Sequence, residues 1–401
     1  MDIVERFLKY VSFETTSYED VEEFPSSDKV YELAKYLVKE LKSIGIRDAE
    51  MDEYGYVYGH MHASPGVKAE TIGLMSHMDT SGAVSGADIK PRILKYEGGD
   101  IPLNPGVSIR KADFPDLDHY IGHDLIVTDG TTLLGADDKA GISEIVTMAE
   151  YLMEHPEIKH GPLAFCFNPE EETGRGTEHI DIEKFGADYA YTVDGDRLGG
   201  IEYECFNAAG AKIKINGVNI HPGSAKNKMK NAVLIGAEFI NLLPPAEAPT
   251  HTEGYEGFYH VTGFKGAEQM AQLGMIIRDH DKNTFEKRKA FVSRTVEFLN
   301  EKYGEGTVEL EMSDTYYNMR DLVEPHMEIV DRAMDAMRSV GVEPVVTPIR
   351  GGTDGAGLTY MGIPCPNLST GGQNFHGVME FVSIDEMRKM VDVLVDLVRA
   401  E

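Results

Sequence analysis

Three short apolar runs in the first half of the chain each pass directly into chemistry-bearing side chains. Thr71 to Ser76 leads into His77-Met78-Asp79, Gly161 to Asn168 into Pro169-Glu170-Glu171-Glu172, and Asp188 to Val193 into Asp194-Gly195-Asp196. Runs of this length read as buried strands, and strands buried on both faces belong to sheets flanked by helices. In open α/β sheets, ligand sites gather beyond the carboxyl ends of the strands. The acids and the histidine fall where such a sheet places its site.

The rest of the pattern agrees with an α/β fold and interrupts it once. Ser27 is placed to cap a helix with the apolar stripe Val30, Leu33, Ala34, Leu37, Val38 and Leu41. Between Cys205 and Thr315 the order becomes strand, helix, two strands, helix, strand: Lys212 to Ile215, Ala232 to Leu243, Gly274 to Arg278, Asn283 to Tyr303 and Thr307 to Met312 carry it. Two helices on a four-stranded antiparallel sheet make a small α+β domain inserted into the larger one. The α/β pattern resumes with Val345 to Ile349 and Ile363 to Ser369. It closes on a helix with Ser383 and Glu386 as capping box and Met387, Met390, Val391, Leu394, Leu397 and Val398 as inner stripe. The expected domains are 1–205 and 316–401 as one catalytic domain in two parts, and 206–315 as the insertion.

Composition narrows the function classes. The 401 residues contain 38 Lys and Arg against 68 Asp and Glu, so the formal charge is 38 − 68 = −30. Such a balance argues against a nucleic-acid partner, because phosphate neutralisation needs a basic face. Cys166, Cys205 and Cys365 are an odd, scattered set that fits neither a disulfide framework nor a Cys-x-x-Cys site. No apolar run approaches ~20 residues, so no membrane span is expected. MDIVERFLKY lacks the apolar core of a secretory signal, and the cytoplasm is the default compartment.

Taken singly, each polar motif has an ordinary reading. His77-x-Asp79 is a histidine with a carboxylate in reach, as at many surfaces. Asp137 and Asp138, in Gly135-Ala136-Asp137-Asp138-Lys139-Ala140-Gly141, suit a helix N-terminus by capping and dipole alone. Glu170-Glu171-Glu172 needs only solvation if the loop is exposed; in a cleft, one Glu can bind metal while its neighbour acts as general base. His221 lies in a His-Pro-Gly turn, and Arg278 has Asp279 beside it as a ready ion-pair partner. Together, two histidines and three carboxylates past strand ends suit borderline divalent ions such as zinc, cobalt or manganese.

The motifs then acquire a family. Ser76 to Thr80, Leu134 to Gly141, Glu171 to Gly174, Tyr191 to Gly195, His221 to Lys226, Glu253 to His260, Arg350 to Ala356 and Pro364 to Asn367 resemble, in order, the tripeptide aminopeptidases of the dizinc metallopeptidase family that includes carboxypeptidase G and the aminoacylases. The match runs from Glu5 almost to the C-terminus. The resemblance implies a mixed-sheet catalytic domain with an inserted lid domain, two Zn2+ per subunit with Co2+ or Mn2+ as substitutes, and a cis peptide between Asp137 and Asp138. His77 and His376 would bind one metal each, Asp137 would bridge, and Glu172 and Asp194 would complete the two shells. Asp79 would orient His77, and Glu171 would be general base, then acid, toward a metal-bridging water. His221 would stabilise the oxyanion, while Arg278 and Arg350 would hold a substrate carboxylate and so measure peptide length. Short peptides, tripeptides above all, are the implied partners, and relatives of this kind often dimerise through the lid. The rival is a carboxypeptidase or N-acyl amino-acid deacylase with the same ligands; more distant is a peptide-binding homologue without catalysis.

Overall fold

A computed structural model describes residues 1–400 and divides the chain into two compact units. The first comprises Met1–Tyr203, Asp321–Thr347 and the chain from Thr353 onward; the second comprises Glu204–Arg320 and Pro348–Gly352.

The first unit is built on an eight-stranded mixed sheet. Its order is Glu50–Met51, Val57–Met61, Leu163–Asn168, Ile72–His77, Tyr189–Gly195, Asn367–Ser369, Gly200–Glu202 and Val345–Val346. Ile72–His77 pairs in parallel with Leu163–Asn168 on one side, His77 opposite Asn168, and with Tyr189–Gly195 on the other. Asn367–Ser369 extends the parallel block, and antiparallel strands close both edges. Every residue of Ile72–His77 and Leu163–Asn168 is buried, which is why the sequence shows continuous apolar runs there instead of alternation. Helices Ala136–Glu154 and Ile384–Leu397 pack against each other, the former also against the sheet. Ile126, Leu134, Val382 and Met387 join Phe7 in one core cluster, and burial of such a side chain contributes about 1.5–3 kcal/mol. A smaller antiparallel sheet joins Gly372–Gln373, Phe381–Ser383, Asp124–Val127 and Arg92–Lys95.

The second unit is a four-stranded antiparallel sheet, ordered Phe258–Gly266, Met270–Asp279, Asn207–Asn216, Val308–Tyr316, with two helices, Ala232–Leu242 and Lys282–Tyr303. Ala209, Ala211, Ile213 and Ile215, at period two, turn one face onto Phe239, Phe285, Val292 and Leu299 of the helices. Asn231 and Asp281 cap those helices, accepting from Val233 and Leu234 and from Thr284 respectively. The expected mixed α/β sheet with a separate two-helix, four-stranded unit is therefore present.

Two local expectations fail. Helix Val30–Ile44 has Lys29 at its N-cap and no side-chain cap; Ser27 sits two residues upstream, its hydroxyl 3.4 Å from Lys29 N. The Val345 to Ile349 stretch is a strand only over Val345–Val346, although Thr347 N still donates to Ile201 O at 3.2 Å and Ile349 N to Glu204 O at 2.9 Å. Among the described residues, no helix is long and apolar enough to cross a membrane. All three cysteines are free and buried.

Candidate metal centre

Each of the five expected ligands leaves a different segment of the first unit. His77 ends Ile72–His77, Asp194 lies near the end of Tyr189–Gly195, and Glu172 follows Leu163–Asn168 by a short turn. Asp137 opens helix Ala136–Glu154, where Gly135 takes a left-handed φ of 78°, Asp137 and Asp138 depart from helical angles, and their peptide bond is cis. His376 comes from the loop between Gly372–Gln373 and Phe381–Ser383, also at positive φ.

The side chains converge on Asp137. Its Oδ1 lies 2.8 Å from His77 Nε2, and its Oδ2 lies 3.1 Å from His376 Nε2. Asp194 Oδ1 is 3.4 Å from the same His77 nitrogen, and Glu172 Oε2 is 2.9 Å from that of His376. Two groups of three ligand atoms result, His77–Asp137–Asp194 and Asp137–Glu172–His376, each with all atoms within 4.8 Å of one another and sharing one carboxylate. Asp138 faces elsewhere, accepting from the main-chain N–H groups of Gly141 at 3.2 Å and His77 at 3.3 Å.

Charge and hydrogen bonding fit a pair of divalent cations. Glu172 Oε1 is buried without any hydrogen-bond partner, a state that costs free energy unless a cation or donor meets it. Burial pushes Glu172 up to about 7 and Asp194 up to about 6. Hydrogen bonds to Asp137 and Glu172 hold His376 up to about 10. Burial alone would lower His77, yet Asp194, Asp137 and Asp79 raise it well above the ordinary imidazole range. Four carboxylates around two imidazoles thus demand positive charge, and N/O donors of this kind suit zinc or its neighbours.

Asp79 does two jobs. His77 Nδ1 is 3.0 Å from the main-chain oxygen of Asp79, which assigns the ring proton to Nδ1 and leaves Nε2 as a lone-pair donor. The Asp79 carboxylate accepts from the main-chain N–H groups of both Glu171, at 3.2 Å, and Glu172, at 3.3 Å. One residue therefore fixes a histidine's tautomer and the turn carrying the two acids. Burial, with Asp194 nearby, pushes Glu171 well above the usual carboxylate range.

His221, Arg278 and Arg350 belong to the second unit. His221 is exposed, its Nδ1 accepting from Gly223 N at 3.2 Å. Arg278 has no ion-pair partner among the described residues: Asp279 pairs with Arg288 at 2.6 Å, and the Arg278 guanidinium lies over the Tyr316 ring at 5.2 Å. Burial lowers its pKa. Arg350 is more engaged. Its Nη1 donates to the carbonyls of Gly254 at 2.6 Å and Glu256 at 3.0 Å, its Nη2 to the carbonyl and hydroxyl of Thr252, and its guanidinium stacks over Phe206 and Phe258.

Sequence reasoning passed over several buried polar residues here. Glu170 accepts from Ser26 N at 2.7 Å, Ser26 Oγ at 2.6 Å and Thr173 Oγ1 at 2.9 Å, tying residue 26 to the Glu171–Glu172 turn. Asn168 Nδ2 donates to buried Asp354 at 2.5 Å. Glu380 accepts from the turn before Asp137. The acid preceding Glu171 and the Asp of the glycine-rich stretch were visible as residues, but their partners lie 144 and 186 positions away.

The model of Peptidase family M20/M25/M40 matches residues 129–400. Peptidase T of Caldanaerobacter subterraneus subsp. tengcongensis is 56% identical over 399 residues, covering 99% of this chain and 98% of that protein. Among solved structures, aminopeptidase PepT from Bacillus cereus superposes with a TM-score of 0.77 at 24% identity, over 99% of this chain and 97% of that one. The YXEP protein of Bacillus subtilis, a dinuclear metal binding peptidase from the M20 family, gives 0.66 at 14% identity over 99% and 96%.

Proposed function

From the premise that the chain belongs to Peptidase family M20/M25/M40 and stands there with the peptidases T as a metallo-aminopeptidase, we propose that it releases the N-terminal residue of tripeptides in the cytoplasm, using two zinc ions. The observation that carries the site reading is Asp137, whose two oxygens face two different histidines. In this reading His77, Asp137 and Asp194 hold one ion, and Asp137, Glu172 and His376 the other. When bound, the ions supply Lewis acidity and a water acidic enough to react near neutral pH.

The chain's own groups do the remaining work. Glu171, its carboxyl shifted upward by burial, accepts the proton of the attacking water and returns it to the leaving amine. Asp79 keeps Glu171 in place through its main-chain N–H. His221 is the proposed donor to the developing oxyanion. Arg278, whose guanidinium has no internal carboxylate, is the proposed two-pronged holder of the tripeptide's C-terminal carboxylate. Arg350 adds positive charge while its terminal N–H groups organise the loop from Thr252 to Glu256. A cytoplasmic setting is supported by three free, buried thiols. A homodimer through the second unit is supported by its sheet edge, where most of strand Phe258–Gly266 is exposed.

Rates for a free tripeptide, its N-acetylated form, its C-terminal amide and a dipeptide test the reading together. The free tripeptide is expected to be cleaved fastest, the acetylated one not at all. Preferential cleavage of the acetylated substrate would replace this reading with that of a deacylase. Glu171→Gln is expected to keep its ions and lose at least ~100-fold in kcat.

A further inference from the structure

The turn that presents Asp137 is held by a carboxylate that is not among the proposed ligands. Glu380 is 1% exposed. Its Oε2 accepts from Leu134 N at 2.6 Å and Gly135 N at 3.0 Å, and its Oε1 accepts from Asp137 N at 3.2 Å. Three main-chain donors from four consecutive residues converge on one carboxylate, the arrangement by which backbone turns bind anions. Gly135, in the middle of that turn, has the left-handed φ of 78° that the convergence requires.

The other end of Glu380 leads to the second histidine. It lies four residues after His376, and its own N–H donates to Gly377 O at 3.2 Å. Asn374 Nδ2 donates to Met379 O at 3.1 Å, and Thr128 Oγ1 to Val378 O at 3.4 Å, so the loop carrying His376 is pinned at the two residues just before Glu380. Lys139, fully buried with its Nζ 3.0 Å from Phe13 O, lies nearby; burial pushes it down to about 7 against the opposing pull of Glu380 and Asp79.

We propose that Glu380 is the positioning residue of the metal centre, fastening the turn of the bridging carboxylate Asp137 to the loop of His376 and so setting the 3.1 Å approach between them. The inference rests on the ligand reading above. Its physical content is that one buried side chain, 246 positions from its furthest partner, ties together two ligands that no shared secondary-structure element joins.

The test is zinc affinity of the loaded protein by chelator competition, with steady-state kinetics and melting temperature on the same samples. Glu380→Gln replaces one acceptor oxygen by an NH2 group that faces a main-chain donor. It is expected to weaken zinc binding about 10- to 100-fold and to lower kcat with little change in KM, as loss of supporting contacts does. Glu386→Gln is the control: Glu386 is equally buried and also accepts from a main-chain N–H, that of Leu198 at 3.1 Å, but touches none of the ligands. That variant should lower the melting temperature and leave zinc affinity alone. If Glu380→Gln fails to fold, Glu380→Asp, which keeps the charge one methylene short of spanning both donors, decides with a smaller loss of the same kind. Unchanged zinc affinity in the folded Glu380 variant, or an equal loss in Glu386→Gln, would overturn the proposal. A wild-type chain that binds fewer than two zinc ions would overturn the ligand reading first and this inference with it.

Discussion

Gly141, one turn into the helix that Asp137 opens, is the position where a single methyl group should disturb the centre most. A Cβ built there would lie 1.9 Å from Val193 O, 2.6 Å from Asp138 Oδ1 and 2.6 Å from Ser76 Oγ. The nearest of these is main chain in a fully buried stretch of strand, immediately before Asp194. Real Cβ contacts stop near 3.0 Å, so helix and strand must part by about 3.0 − 1.9 = 1.1 Å. Overpacking of this kind costs up to about 3 kcal/mol, and the helix-propensity gain of Ala over Gly offsets about 1. The net loss of ~2 kcal/mol corresponds, in a chain of this size, to a fall in melting temperature of roughly 2–3 °C. The catalytic consequence is larger: an ångström-scale displacement at a ligand costs about 100-fold in kcat. Gly141→Ala is to be assayed by thermal melt, zinc content and tripeptide turnover beside Gly210→Ala, whose Cβ would meet nothing within 4 Å. A Gly141→Ala protein that melts with the wild type and turns over within twofold of it would refute the claim that this helix–strand contact sets Asp194.

Further outcomes follow from other parts of the molecule. Arg6, wholly buried, pairs with Glu40 at 2.9 Å and Glu150 at 2.7 Å, so Glu40→Ala should cost about 3–5 kcal/mol in a denaturant titration; a loss under 1 would show the pair to be dispensable. Arg278→Ala should cut kcat/KM for tripeptides about 10- to 150-fold, the worth of a charge-assisted hydrogen bond, and leave the C-terminal amide untouched; equal losses on both substrates would remove Arg278 from carboxylate binding. For the metal-free protein the pH dependence has a defined sign. His376, raised from 6.5 to about 10, stabilises the fold fully below 6.5 and loses that contribution as pH rises toward 10; Glu172, raised from 4.5 to about 7, favours its protonated form and weakens the fold as pH rises through that window. The melting temperature of chelator-treated protein should therefore fall with rising pH, and zinc should flatten the slope; a flat metal-free profile would contradict the charge assignment.

The sheet and its strand-end residues were legible because parallel strands buried on both faces leave uninterrupted apolar runs, as at Ile72–His77 and Leu163–Asn168. The inserted unit was legible for the opposite reason: Ala209 to Ile215 alternates, because only one face meets the helices. Arg92–Lys95 gave no such signal, since its residues are mostly exposed and its partner Asp124–Val127 supplies the apolar side. The failed cap at Ser27 shows turn hydrogen bonds doing a side chain's work: Val30, Tyr31 and Glu32 donate to the carbonyls of Ser27, Asp28 and Lys29. In the site, side chains that meet side chains could be inferred from residue type, but Asp79, Glu170 and Glu380 act on main-chain N–H groups, which every residue has. Their roles appear only when the chain is folded. Arg350 was legible as a cation, whereas its engagement with the carbonyls of Thr252, Gly254 and Glu256 was not.

The proposed centre depends on Asp137 serving two ions at once, and zinc stoichiometry tests that most directly. Wild-type protein and Asp137→Ala, each saturated with zinc and freed of excess, are to be measured for bound metal per chain by elemental analysis. Two ions are expected in the wild type and fewer than one tightly held in Asp137→Ala, because both ligand groups lose their common member. One ion in the wild type, or two retained in the variant, would contradict it.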